Sequence, residues 1–118
     1  MSEPKERGPA VSYLVLFPAL QQAAEAHGYS LALHGSLKRD MDLVAIAWRI
    51  GASDPDVLVE AIATAVPGLL RVEGDPCLMP HGRLGYVLHF DDPQLEAHRY
   101  IDLSVIAPLR RREVLVNA

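Results

Sequence analysis

Cysteine occurs once in this 118-residue chain, at Cys77, so no intramolecular disulfide can form. A thiolate metal site would need His or carboxylate partners to complete it, and the thiol is expected to be unreactive and partly buried. Aromatic residues are scarce, at 6% against 50% apolar overall, so the core must be built from Leu, Val, Ile and Ala rather than from stacked rings. No apolar run approaches membrane-spanning length, and the charged, proline-containing stretch from Met1 to Ala10 lacks the apolar centre of a secretory signal. A cytoplasmic location without a membrane partner is therefore expected. Positive charge is not in excess either: the net charge of -4 argues against a generally basic, phosphate-coated surface, so nucleic acid is not the expected partner.

What is present suits one globular core. A length of this order buries most of the surface an unfolded chain exposes, so neither disulfide nor structural metal is required. Residues 1–9 read as a disordered lead-in and 10–118 as a single domain. Between Val11 and His27 apolar residues recur at helical spacing, with Leu16, Leu20, Ala23 and His27 on one stripe and Gly28 as the stop. Pro18 either kinks this helix or marks its start. Tyr29 to His34 and Met41 to Trp48 read as an antiparallel strand pair. Asp54 before Pro55 caps a second helix reaching about Val66, with Val57, Leu58, Ala61, Ile62 and Ala65 as its apolar positions. Leu69 to Val72 is too short to assign, and Gly74-Asp75-Pro76 reads as a break. Gly82 to Phe90 and His98 to Ala107 read as further strands. The fold class is α+β, with a mixed or antiparallel sheet of about four strands and two main helices on one face.

Alternation along a strand sends Asp40 and Asp42 to the same side, together with Val44, Ile46 and Trp48. Asp102 shares a face with Tyr100, Ser104 and Ile106, an acid inside an otherwise apolar strand, where an ionised group is expensive unless paired or bound to a metal. Three converging carboxylates make a hard, oxygen-rich site of the kind that binds Mg²⁺ and leaves room for substrate phosphates. Gly35-Ser36 can bring backbone N–H groups and a hydroxyl close to a phosphate, and Lys38 and Arg39 offer counter-charge.

These residues resemble the signature of nucleotidyltransferases of the polymerase-β type, especially the minimal single-domain members: Gly35-Ser36 at a strand end, Asp40-Met41-Asp42 on the next strand and Asp102 in YIDLSV on a later one. The likeness covers about residues 29–48 and 100–105, and the loop between Gly-Ser and the first acid is shortened to Leu37, Lys38 and Arg39. The resemblance implies a nucleotidyltransferase-like fold and a Mg²⁺-dependent transfer of a nucleoside monophosphate from a nucleoside triphosphate to an acceptor. In it, Ser36 and its neighbouring amides would hold the triphosphate, Asp40 and Asp42 would bind Mg²⁺, and Asp102 would help to activate the acceptor hydroxyl. The segment HGSLKRDMDLVAIAW is also similar to small proteins of temperate phages and prophages. That likeness implies the alternative function, a non-catalytic phage-type accessory or interaction protein on the same scaffold.

Plainer readings stand beside these. Gly, Ser, Lys, Arg and Asp between Gly35 and Asp42 suit a hairpin turn, with acids guarding an aggregation-prone strand. Asp102 can equally be an exposed-face residue or a partner of Arg99 or Arg83. His27, His34, His81, His89 and His98 show no pair at zinc-motif spacing. Pro80-His81-Gly82-Arg83 is a turn entering a strand, from which Arg83 reaches a phosphate only if the turn lies over the acids. Arg110 to Arg112 read as a solvated cluster.

Overall fold

The computed structural model describes residues 7–35, 40–66, 70–90 and 100–107. The chain runs α1 (Arg7–Ala26), β1 (Tyr29–His34), β2 (Met41–Ala47), α2 (Pro55–Ala63), β3 (Leu70–Leu78), a 3₁₀ turn (Pro80–Gly82), β4 (Leu84–Phe90) and β5 (Tyr100–Ile106). The strands form one five-stranded sheet in the order β1-β2-β5-β4-β3. Only β2 and β5 are parallel among these neighbours; the other pairs are antiparallel, so the α+β sheet is mixed.

Alternation divides the sheet into an apolar and an open face. Leu31, Met41, Leu43, Ala45, Ile101, Leu103 and Val105 are buried. They form a single cluster with Leu16, Leu20 and Ala24 of α1 and Leu58, Val59, Ile62 and Ala63 of α2. Their strand neighbours Asp42, Val44, Asp102, Ser104 and Val87 are only half-buried, on the face the helices leave uncovered. The buried stripe of α2 thus differs from the expected one, since Val57 is 46% exposed and Val59 takes its place inside.

The joint between α1 and the sheet is tightly tied. Gly28, at φ 89, closes the helix, and a Cβ there would come within 2.8 Å of the Ala52 Cβ. The buried Tyr29 donates its hydroxyl to the Ser53 carbonyl at 2.7 Å, and burial, with Asp54 nearby, pushes the phenol up to about 12. His27 Nδ1 lies 2.7 Å from the Ser53 hydroxyl, so the end of α1 and the entry to α2 are held together. Asp54 occupies the N-cap position before Pro55, as expected, but its side chain makes no capping hydrogen bond; its carbonyl accepts from the Leu58 N–H at 3.0 Å.

Several element boundaries differ from the sequence-based expectations. The helix α1 starts at Arg7, inside the expected lead-in, and runs through Pro18 without ending. The helix α2 ends at Ala63 rather than near Val66. The strand β3 spans nine residues where no strand was assigned, continuing through Gly74-Asp75-Pro76 by a register irregularity between Glu73 and Cys77. Proline is tolerated there because β3 is an edge strand and needs no outward hydrogen-bond donor. The expected strand from Gly82 begins at Leu84, after a turn in which His81 (φ 66) and Gly82 (φ 74) are both left-handed.

Candidate functional site

The strand register sets a row of side chains across the open face. His34 of β1 stands opposite Asp42 of β2, Asp42 opposite Asp102 of β5, and Asp102 opposite Val87 of β4. Neighbouring strands lie about 4.8 Å apart, so two carboxylates at the same level meet within hydrogen-bonding reach. Asp102 is accordingly pushed above the ordinary value of 3.8, first by burial, then by the charges of Asp42 and Asp40, and by the hydrogen bond its protonated form donates to Asp42. Asp40, just ahead of β2, acts chiefly on Tyr100: its charge and the hydrogen bond it accepts from the phenol raise the Tyr100 pKa, together with Asp102.

Gly35 follows β1 at φ 84, and a Cβ at this position would lie 2.5 Å from Asp42 Oδ2. Glycine is required twice over, by backbone conformation and by the carboxylate against it. Beyond the acids, between them and the β3–β4 hairpin, opens a cleft of about 400 Å³. His34, Asp42, Asp102 and Ser104 line it from the sheet, and Cys77, Met79 and Arg83 line it from the hairpin. Gly85 lets the hairpin fold over, since a Cβ there would come within 2.8 Å of the Met79 sulfur.

Asp40, Asp42 and Asp102, expected as catalytic and metal-binding residues, are therefore brought to one end of one face. Among the described residues, however, no group of three or more His, Cys, Asp or Glu side chains is arranged to hold a metal ion by itself. Of the expected nucleotide-binding residues, Gly35 lies beside Asp42, while Ser36, Lys38 and Arg39 fall outside the described residues. Arg99 and Arg110 to Arg112 also fall outside them.

Arg83 forms no ion pair with Asp102 among the described residues; its Nε donates instead to the Pro80 carbonyl at 3.3 Å. Cys77, expected to be partly buried, is exposed, because the outer half of β3 projects beyond the core. His34 and Tyr100 are additions that sequence reasoning missed. Their signal was position alone: His34 directly precedes Gly35, and Tyr100 is two residues from Asp102 on the same face.

The chain is thus a two-layer α+β domain, helices on one face of a mixed sheet and acids on the other. No family model and no curated protein matches it. Among solved structures it is similar to the crystal structure of JHP933 from Helicobacter pylori, at 14% identity and a TM-score of 0.39. The match covers 88% of this chain and 47% of that one, so the chain spans about half the length of JHP933.

Proposed function

We propose that the protein is a Mg²⁺-dependent nucleotidyltransferase, moving a nucleoside monophosphate from a nucleoside triphosphate to a hydroxyl-bearing acceptor. The observation that carries this reading is the direct pairing of Asp42 with Asp102 on parallel neighbouring strands, Asp40 close by and Gly35 against the carboxylate. Acids crowded together at the cost of mutual repulsion favour a cationic ligand beside them. Mg²⁺ characteristically takes one or two carboxylates and completes its shell with water and substrate phosphates, so a triphosphate would supply the ligands that the side chains alone do not. Asp40 and Asp42 would hold the cation. Asp102, which binds a proton more readily than an ordinary aspartate, would accept the proton of the acceptor hydroxyl. The acceptor oxygen then bonds to the α-phosphorus as the bond to the bridging oxygen breaks, and pyrophosphate leaves with the bonding pair.

The test is incubation with α-labelled nucleoside triphosphates and Mg²⁺, alongside calorimetric titration with a non-hydrolysable ATP analogue. Binding of the analogue that requires Mg²⁺ and disappears in Asp42→Asn supports the reading. No binding of any Mg²⁺–nucleotide would refute it. The second reading, a non-catalytic phage-type interaction module, draws on Val15, Trp48 and Ile50, which are 74%, 59% and 73% exposed. That module would bind no nucleotide, so the same titration separates the two.

A further inference from the structure

The cleft beside the acids contains a feature that nucleotide binding at Gly35 leaves unused. Arg83 enters it from the hairpin, and Asp42 and Asp102 enter it from the sheet, yet among the described residues no carboxylate pairs with the guanidinium. Its hydrogen bond to the Pro80 carbonyl uses Nε and anchors the side chain to its own turn, leaving both terminal nitrogens for another acceptor. A cation held in this way, lining the same cleft as two acids without joining them, is arranged for a ligand that comes between.

The geometry also separates two subsites. Gly35 and Asp40 stand at the start of β2, with Tyr100 at the matching end of β5. The cleft starts at His34 and Asp42, beside Gly35, and extends past Asp102 towards Ser104 and Gly85, which face each other across β5 and β4. Asp102 lies between the two regions, as the group taking a proton from the acceptor must. Resting on the nucleotidyltransferase reading, we infer that this cleft is the acceptor site and that the acceptor is a small phosphate monoester whose anionic group is bound by Arg83, with its hydroxyl directed to Asp102. The volume of about 400 Å³ suits a small molecule rather than a polymer, and the net charge of -4 opposes a nucleic-acid acceptor. In the transfer, the hydroxyl proton passes to Asp102 as the new O–P bond forms and pyrophosphate departs, while Arg83 keeps its hold on the acceptor's own phosphate.

The experiment uses the full chain saturated with Mg²⁺ and a non-hydrolysable ATP analogue. It is titrated in turn with glycerol 3-phosphate, glycerate, glycerol and inorganic phosphate, following the backbone amides of Gly85 and Ser104 by NMR. Glycerol 3-phosphate and phosphate should shift these amides, whereas glycerol should not, and glycerate, with a carboxylate in place of the phosphate, should bind more weakly. Arg83→Gln should weaken glycerol 3-phosphate by at least about tenfold, the loss of one charge-assisted contact, and leave analogue binding unchanged, while Arg83→Lys recovers part of the affinity. Equal phosphate affinity in Arg83→Gln would overturn the assignment, as would glycerate binding better than glycerol 3-phosphate. Weakened analogue binding in that variant would move Arg83 to the triphosphate and overturn it too. Failure of the analogue to bind even the unmodified protein is a separate result, which removes the nucleotidyltransferase reading and the acceptor role with it.

Discussion

At Gly35 a left-handed backbone and the closeness of the Asp42 carboxylate act on one residue, whereas Gly74 is left-handed, at φ 64, in open space. The comparison separates the two effects. Gly74→Ala should cost only the backbone term, roughly 1–2 kcal/mol. Gly35→Ala adds displacement of Asp42 and should destabilise further, to roughly 2–4 kcal/mol, with loss of nucleotide binding; urea unfolding of both variants measures the difference. Asp102 permits a test through pH. Because its folded pKa is raised, the folded chain holds this proton more tightly than the unfolded chain does. Stability is then free of the penalty below the ordinary value of 3.8, falls as pH rises from there through the raised value, and stays lowered at neutrality. Asp102→Asn should remove that slope and, in EDTA at neutral pH, melt at or above the unmodified protein. Melting curves from acid to neutral pH decide it, since the slope lies above the ordinary value of 3.8. Marked destabilisation would instead expose a buried cationic partner.

At the scale of elements, α1 contains Pro18 at an exposed interior position. Proline removes one helical hydrogen bond and clashes with the preceding turn, so Pro18→Ala should stabilise the chain by roughly 1–2 kcal/mol after the greater freedom of the unfolded state is counted. Thermal melting checks this; a lower melting temperature would mean that the fixed backbone of Pro18 itself fits α1 to the sheet. The same proline explains why the start of α1 was hard to read, since a local pattern does not say whether a helix continues through a break. By contrast β1 was legible to the residue, because Tyr29, Leu31 and Leu33 alternate with Ser30, Ala32 and His34 and bury one face. β3 was not legible. Gly74-Asp75-Pro76 is turn chemistry, acceptable in a strand only at a sheet edge with an irregular register, and edge position is decided by the rest of the fold. The candidate acids were chosen from spacing alone. His34 follows from the β1–β2 pair, whose register sets it opposite Asp42, but its place in the site was not singled out. Arg83 was readable only conditionally, because its turn reaches the acids through β5 lying between β2 and β4, an order that no local pattern encodes.

For the molecule as a whole, ligand binding should appear as stability. A Mg²⁺–nucleotide present at a hundredfold its Kd should stabilise the native state by about 2.7 kcal/mol, and Asp42→Asn should abolish the effect while keeping its fold. Scanning calorimetry with Mg²⁺ alone, with nucleotide alone and with both would show whether the cation needs the phosphates. Because the described side chains alone form no three-ligand set, the combination should exceed the sum of the separate shifts.

The parallel pairing of β2 with β5 also has a consequence in time. During translation, Gly35, Asp40 and Asp42 emerge early and can fold with α1, β1 and α2 into a local unit, while Asp102 is still unsynthesised. Contacts between distant segments form late, because closing a long loop comes before any reward from pairing. On the proposed function, the nascent chain should therefore be unable to transfer a nucleotide until β5 has left the ribosome and slotted between β2 and β4. Chains stalled just before and just after β5 has emerged would then differ in activity as sharply as two different proteins.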